Sequence, residues 1–235
     1  MRLFRIKTLG SEFLFASDPS GVFASVPKEA LRFSFSDSAD FELDYDPSLP
    51  YFIPDVERAA AAYIKHALGY PASEYDIRMP WGKRTVYVHR GSSLKTTIIS
   101  APEQPLPYAL PEKEIFTVSV CRTPYALIPC ENAEFTDTEY ILNAARRCGM
   151  VMPRALVAFS KLREGYAIRA SRICGESTPD SRCYAALALW LFSEGYPTRE
   201  GISINDGQND VLIKYEPPTV TIVSRDGSAE RIYRA

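Results

Sequence analysis

Two nearly identical hexapeptides, "GYPASE" at residues 69–74 and "GYPTRE" at residues 195–200, each follow a helix-like stretch of this 235-residue chain. A shift of 126 residues places Gly69 on Gly195 and Glu74 on Glu200 without a gap. Convergence explains part of the match, because helix ends favour Gly followed by Pro. An internal duplication explains more of it, because strand-like segments precede and follow both helices in the same order.

Most of the remaining pattern is typical of β-strands. In "DFELDYD" at residues 40–46, Phe41, Leu43 and Tyr45 fall on one face and acidic residues on the other, which predicts a half-buried strand. Similar segments are "TVYVHR", "EIFTVSVCR", "RALVAFSKL", "YAIRASRI", "VLIKYEP" and "TVTIVS". The turn sequences "HRGSS", "REG" and "NDGQND" separate them, so we expect antiparallel or mixed pairing.

Three segments predict helices. Residues 136–149 open with a capping box from Thr136 to Glu139 and end at a glycine. Residues 54–69 and 179–195 each begin with Pro-Asp and end at a glycine. The last of these is apolar on nearly every side from Tyr184 to Phe192, so it must be enclosed by other elements.

These elements predict an α+β fold of two similar halves. The halves span residues 1–110 and 111–235 and join near the proline-rich "APEQPLPYALPEKE". Each half is expected to wrap its strands around one buried helix.

Composition excludes several classes of function. The net charge of −2 and the absence of a basic patch disfavour nucleic acid or an anionic membrane as the main partner. No apolar run approaches the length of a membrane span, and the first residues do not resemble a signal peptide, so we expect a cytoplasmic protein. Five cysteines without a CxxC pair and two histidines predict reduced thiols and no metal site.

Four segments stand in this order over about 200 residues: "KTLGSEF", "CRTPYALIPC", "RASRICGESTPDSRCYAALALWL" and "NDGQNDVLIKY". Together they resemble motifs of the diaminopimelate epimerase family. "KTLGSEF" is similar to the family's "HGLGNDF", and "CRTPYALIPC" stands where the family has a Gly-Asn-Pro-His strand. "RASRICGESTPDSRCYAALALWL" is similar to "ERGxGETxACGxGxxAAA", with Arg172, Gly175 and Glu176 matching and Ser177 replacing Thr. "NDGQNDVLIKY" resembles the family's Gly-Gly hairpin. The resemblance implies two pseudo-symmetric domains, each an antiparallel or mixed β-barrel around a central helix, with the ligand between them, and a homodimer.

The chain departs from the family's two-cysteine chemistry. In the family, one cysteine at the start of each central helix acts as base or acid on an α-carbon. The second cysteine position here is Asp180, and the first falls on Ile53 or Pro54. A mechanism with two thiols is therefore excluded at these positions.

The residues that would bind substrate are also changed. Ser11 and Thr123 stand where the family has asparagine, and Ser171 replaces the glutamate of its Glu-Arg pair. Diaminopimelate carries an ammonium and a carboxylate at each end and needs many such partners, so we reject it as the substrate. A small anionic ligand remains plausible, because a helix N-terminus attracts anions and Ser177, Ser181 and Arg172 offer donors.

Asp180 has two interpretations. It is a candidate general base, since carboxylates perform this role in the phenazine-biosynthesis isomerases that share the fold, and Glu176 offers a second carboxyl group. Alternatively, Asp180 caps its helix and Ser177 or Thr178 only satisfies backbone N–H groups. A helix N-terminus and nearby arginines favour the charged carboxylate, whereas a useful base needs burial.

The cysteines are interpreted as packing residues. Cys183 lies one turn inside its helix, where a dipole would favour a thiolate and burial would favour packing. Cys121 and Cys130 flank a strand and are expected to pack as well. Trp81 is expected to pack in a hairpin, and His66 lies near the far end of its helix.

Two functions follow from the sequence. The first is a cofactor-independent isomerase of a small amino or carboxylic acid bound in the interdomain cleft. There Asp180 moves the proton, and Glu176, Ser181 and Arg172 orient the substrate. The second is a non-catalytic descendant that binds a small anionic ligand or a protein partner.

Overall fold

The computed structural model describes residues 1–18, 23, 26–49, 51–88, 94–99, 106–110, 113–134, 136–137, 153–172, 175–177, 179–224 and 228–232. Within its strands, residues 96, 98–99, 106–110, 113–114, 172 and 175–177 are described by their backbone alone. The helix expected over 136–149 lies almost wholly outside the described residues, as does the "HRGSS" turn.

Two compact units divide the chain. The first comprises Met1–Thr96 together with Arg225–Ala235, and the second comprises Thr97–Ser224. The boundary near residue 110 stays a prediction.

The described residues of the first unit form eight strands and one helix. The helix, α1, spans Ile53–His66. The strands are β1 (Arg2–Thr8), β2 (Ser11–Ser17), β3 (Leu31–Phe35), β4 (Phe41–Asp44), β5 (Ser73–Met79), β6 (Gly82–Val88), β7 (Leu94–Ile99), which extends over the unit boundary, and the C-terminal β17 (Ser228–Ile232). They pair in the order β17-β1-β2-β3-β4-β5-β6-β7, with β2–β3 and β4–β5 parallel and the other pairs antiparallel.

The second unit has the same plan. Its helix, α2, spans Ser181–Ser193. Its strands are β8 (Leu106–Leu110), β9 (Lys113–Val120), β10 (Thr123–Pro129), β11 (Leu156–Lys161), β12 (Tyr166–Arg172), β13 (Gly175–Ser177), β14 (Ile202–Asn205), β15 (Asp210–Glu216) and β16 (Thr219–Ser224). They pair in the order β8-β9-β10-β11-β12-β14-β15-β16, with β10–β11 and β12–β14 parallel, and β13 adds to one end of β12.

Strand directions therefore recur in the same order in the two units. In each unit, the helix contacts strands near both ends of the pairing order. Helix α1 contacts β1, β17 and β6, and helix α2 contacts β9, β10, β15 and β16. A curved sheet that wraps a helix satisfies these contacts. The sheet is nevertheless open, so the prediction of closed barrels is not confirmed. The prediction of a mainly stranded fold with a buried helix in each unit is confirmed.

Small side chains allow the sheet of the first unit to approach α1 closely. The run Ala59–Ala62 is buried on every side of the helix. Beyond it, Tyr63 fills the core with its ring against Phe4, Phe15 and Phe33. Because β4 alternates as predicted, Phe41 and Leu43 are buried, and Tyr45 just beyond the strand is buried too.

Helix α2 is enclosed as its sequence predicts. Every residue from Ser181 to Leu191 is buried. Trp190 packs against Phe116 and Phe159 at ring-centroid distances of 5.5 and 4.7 Å. Within the described part of the chain, neither helix combines the length and apolarity that crossing a membrane would require.

The "GYP" segments end the two helices. Gly69 and Gly195 adopt left-handed conformations, with φ of 70° and 81°. After α2, the Gly195 N–H donates to the Phe192 carbonyl and the Tyr196 N–H donates to the Leu191 carbonyl, each at 3.0 Å, which is a Schellman motif. After α1, the Tyr70 N–H donates to the Ile64 carbonyl at 3.2 Å. The repeated hexapeptide therefore marks two helix exits.

The predicted hairpins at "REG" and "NDGQND" are also present. Gly165 joins β11 to β12 with φ of 101°, and a Cβ there would lie 2.0 Å from the Ser203 carbonyl oxygen, so only glycine fits. In the β14–β15 turn, Asp206 accepts hydrogen bonds from the backbone N–H groups of Gln208 and Asn209. Trp81 occupies the β5–β6 turn with 58% of its surface exposed, so the expectation that it packs in the hairpin is wrong.

Candidate functional site

Asp180 forms the start of α2. Its carboxylate is 2% exposed, and Oδ1 accepts hydrogen bonds from the backbone N–H groups of Arg182 and Cys183, both at 3.1 Å. Oδ2 accepts from Arg182 Nη2 at 3.4 Å. This geometry makes Asp180 the N-cap of α2, which was one of its two sequence-based interpretations. Ser181, the first residue of the helix, is fully buried beside it.

Tyr125 lies close to this helix start and was missed by the sequence analysis. It sits on β10, is fully buried, and its hydroxyl has no hydrogen-bond partner among the described residues. Burial raises the pKa of Tyr125 strongly, and the nearby Asp180 and Cys183 raise it further, while Arg182 and Arg154 lower it. The phenol is therefore a neutral proton donor at physiological pH.

The hairpin between β9 and β10 shows an unusual backbone. Its two turn residues, Cys121 and Arg122, have φ of 50° and 65°, as a type I′ turn requires, but neither is glycine. Left-handed conformations cost such residues roughly 1–2 kcal/mol each. Cys121 is exposed as a residue, but neighbouring atoms partly desolvate its thiol and raise its pKa, while Arg182 lowers it, so this turn lies near the start of α2.

The packing roles predicted for the cysteines are confirmed in some cases and wrong in another. Cys183 is buried, as a packing residue should be. Cys130 is half-buried and donates from its thiol to the Phe159 carbonyl at 3.3 Å. Cys121 is exposed, so its predicted packing role is wrong, because a two-residue turn directs its side chains away from the sheet.

The predicted substrate-binding residues divide between the units. Ser11 in the first unit and Thr123 in the second are both half-buried. They occupy equivalent places, directly after the turn that joins β1 to β2 in one unit and β9 to β10 in the other, which are the second and third strands of each pairing order. Side chains of Arg172, Glu176 and Ser177 lie outside the described part of the chain, and their backbones belong to the β12–β13 ladder. Of the predicted site residues, the structure places Asp180 near Tyr125.

In the first unit, the helix start is held by an arginine. Arg58 is 1% exposed, and it donates from Nε to Thr8 Oγ1 at 2.6 Å and from Nη1 to the Leu94 carbonyl at 3.0 Å. Ile53 and Pro54, the two positions where the sequence analysis expected a replaced cysteine, form the half-buried first residues of α1. The hydrogen bonds of Arg58 stabilise the fold of the first unit.

Glu57 and Tyr45 lie near the same end of α1. Burial raises the pKa of Glu57, and Arg84, whose Nε lies 3.6 Å from Glu57 Oε1, lowers it. Burial also raises the pKa of Tyr45, and the nearby Trp81 side chain lowers it, although no described residue completes a hydrogen bond with the Tyr45 hydroxyl. No group of three His, Cys, Asp or Glu side chains in the described part of the chain could hold a metal ion.

No protein-family model and no curated protein sequence matches the chain. Solved structures do match its fold. A phenazine biosynthesis protein of the PhzF family from Enterococcus faecalis matches with a TM-score of 0.67 and 9% identity over 100% of both chains. A PhzF-family protein from Bacillus anthracis matches with a TM-score of 0.65 and 9% identity, covering 99% of this chain and 98% of that chain.

A predicted epimerase from Pseudomonas aeruginosa also matches, with a TM-score of 0.58 and 14% identity over 100% of this chain and 98% of that chain. At these identities the likeness concerns the fold. It agrees with the fold implied by the sequence motifs.

Proposed function

We propose that this protein is a cofactor-independent isomerase of a small amino or carboxylic acid, with its proton-transfer site at the start of α2. The observation that carries the proposal is the Tyr125 hydroxyl, a buried proton donor without a described partner, close enough to the Asp180 carboxylate for that charge to raise its pKa. Buried polar groups are nearly always hydrogen-bonded, so one that is not calls for a functional explanation.

Each group has a separate role in the proposed reaction. The Asp180 carboxylate takes the proton from the substrate's α-carbon, and the electron pair of that C–H bond moves into the adjacent carboxyl group. The Tyr125 hydroxyl and the Arg182 guanidinium stabilise the negative charge that develops on its oxygen. The protonated Asp180 carboxyl, which exchanges its proton with water, then returns a proton to the α-carbon once the planar intermediate has turned its other face to it. The electron pair moves back from the substrate's carboxyl group to form the new C–H bond, so the oxidation state does not change.

Ser181, Ser11 and Thr123 remain candidate substrate contacts, and so do Arg172, Glu176 and Ser177. A homodimer, a cytoplasmic location, an internal duplication and the absence of a cofactor stay predictions. The replacement of both family cysteines is an interpretation of the sequence, and it directs the proposal toward carboxylate and phenol chemistry.

Hydrogen exchange at carbon tests the proposal. The protein is incubated in heavy water with panels of amino acids and 2-hydroxy acids, and deuterium at the α-carbon is measured by NMR. We expect exchange with at least one acid and its loss in Asp180→Asn, because asparagine still caps a helix but cannot accept the proton.

Tyr45→Phe is the matched control, since it removes another buried hydroxyl without a described partner. Its exchange rate should equal that of the unmodified protein. Exchange that persists in Asp180→Asn would assign the base to another residue and reject the proposed site.

A second candidate, a non-catalytic protein that binds a small anionic ligand, is favoured by the geometry of Asp180 itself. The carboxylate is 2% exposed and both oxygens accept hydrogen bonds, so a substrate must displace local contacts to reach it. Thermal-shift measurements with the same acids distinguish the two functions, because this candidate predicts stabilisation by a ligand without any exchange.

A further inference from the structure

A cavity of about 410 Å³ lies within the first unit, at the C-terminal end of α1. The end of the helix forms one wall, and β1, β2 and β3 form the others. The residues that carry the argument are Arg2, Phe4, Ser17, Phe33, Phe35 and Tyr63. Small-molecule sites have this character, with a mostly apolar wall and a few polar groups that fix orientation.

The fold does not satisfy the hydrogen-bonding capacity of the Tyr63 hydroxyl. The residue is fully buried and lines the cavity, and among the described residues the hydroxyl has no hydrogen-bond partner. Its ring is held by Phe33, Phe15 and Phe4 at centroid distances of 4.8, 5.1 and 5.2 Å. Three rings hold Tyr63 in place, and its hydroxyl has no exposed surface. A ligand in the cavity therefore accepts its hydrogen bond by displacing the side chains that cover the hydroxyl.

The charges near this hydroxyl favour an anionic head group. Burial raises the pKa of Tyr63, while the Ser17 hydroxyl and the Arg2 guanidinium lower it. Ser17 is therefore near, although it does not complete a hydrogen bond with Tyr63. The helix C-terminus contributes about half a negative charge, and the full positive charge of Arg2 exceeds it.

Aromatic side chains form the rest of the wall. Phe33 is buried, whereas Phe35 is 54% exposed at the rim. An apolar ligand that covered Phe35 would remove this surface from water and gain about 25 cal/mol per Å². Planar rings suit such a wall, because they stack or meet edge to face.

We propose that this cavity binds a small aromatic monocarboxylate, with its carboxylate on the Tyr63 hydroxyl and Arg2 and its ring against Phe33 and Phe35. The site uses no residue of the α2 helix start. Its occupancy is therefore independent of the isomerase proposal.

Isothermal titration of the full chain with 3-phenylpropionate, and separately with 3-phenylpropionamide, tests this proposal. We expect saturable binding of the acid and at least tenfold weaker binding of the amide. Tyr63→Phe should weaken binding of the acid about tenfold, the usual effect of losing a hydrogen bond to a charged group. Arg2→Gln should also weaken binding of the acid, and its affinity should differ most from that of the unmodified protein at low salt.

Two variants complete the design. Tyr45→Phe removes a similarly buried hydroxyl elsewhere in the unit and should leave the affinity unchanged. Ser34→Trp places a large side chain in the cavity wall and should abolish binding while the circular dichroism spectrum is retained. Absence of saturable binding, equal affinity for the amide, or unchanged affinity in either Tyr63→Phe or Ser34→Trp would overturn the proposal.

Discussion

At the scale of single residues, two tyrosines of the second unit differ in whether the fold satisfies their hydroxyl groups. Tyr125 and Tyr184 are both fully buried, but the Tyr184 hydroxyl donates to Asp206 Oδ2, whereas that of Tyr125 has no partner in the described residues. Removing an unsatisfied buried group relieves its desolvation cost, and removing a satisfied one leaves its partner unpaired.

We therefore expect Tyr125→Phe to raise the free energy of unfolding by about 1 kcal/mol and Tyr184→Phe to lower it by about 1 kcal/mol. Urea denaturation of both variants measures the difference. Equal destabilisation of the two would mean that the Tyr125 hydroxyl contributes to the fold, and it would remove the observation on which the proposed site rests.

A second residue-scale prediction concerns Glu57. Burial raises the pKa of this carboxyl in the folded state, so the folded protein holds the proton more tightly than the unfolded chain does. The resulting stability is present at low pH and is lost as the pH rises through the folded-state pKa. Glu57→Gln should therefore stabilise the protein at pH 7, by no more than about 1 kcal/mol.

This gain should shrink as the pH falls into the range where the wild-type carboxyl is protonated. Thermal unfolding at several pH values measures it. Glu230→Gln is the control, because the Glu230 side chain is 69% exposed and should have little effect. A gain that grows toward low pH would contradict the assigned direction of the pKa shift.

Of the candidate site residues, the sequence reveals some and not others. Asp180 was recognisable because Pro-Asp before an apolar run is typical of a helix start, and the capping interpretation proved correct. Tyr125 was not recognisable, because a tyrosine within the continuous apolar run of β10 is expected to be an ordinary core residue. Its distinguishing property, a hydroxyl that no neighbour satisfies, depends on which side chains surround it in three dimensions.

At the scale of elements, burial of α2 dominates the stability of the second unit. Its residues from Ser181 to Leu191 are buried on all sides. Leu187→Ala should therefore cost about 2–5 kcal/mol, since it removes a buried side chain and leaves a cavity. Leu212→Ala on β15, where the side chain is 38% exposed, should cost much less. Similar losses in urea denaturation would mean that α2 is not enclosed.

Elements with a strong periodic signal were predictable. The two central helices lie within two residues of their expected starts and three of their expected ends, 53–66 against 54–69 and 181–193 against 179–195. The Cys121–Arg122 turn was not predicted, because neither residue favours the left-handed conformation that a tight hairpin requires. Strand pairing overrides this local preference.

At the scale of the whole molecule, the order of strand directions recurs in both units, as the repeated hexapeptide suggested. The sequence could not reveal that the C-terminal strand pairs with β1. Short strands share the same alternating pattern, so the pattern does not identify a partner. This pairing places both chain ends in the first unit.

Removal of residues 225–235 should therefore weaken β1 and leave the second unit intact. Hydrogen exchange measures the result: we expect faster exchange of amides in Leu3–Lys7, which face β17 in the register, and unchanged exchange in β15. Unchanged protection of β1 would contradict the pairing.

The measurement that tests the central claim most directly is deuterium incorporation at the α-carbon by Tyr125→Phe, compared with the unmodified protein at equal concentrations of folded chain. Loss of one buried donor to a developing negative charge lowers a rate by roughly 100-fold or more. The account predicts a decrease of this size in a variant at least as stable as the original. Equal rates in the two proteins, or no exchange by the unmodified protein with any acid of the panel, would contradict it.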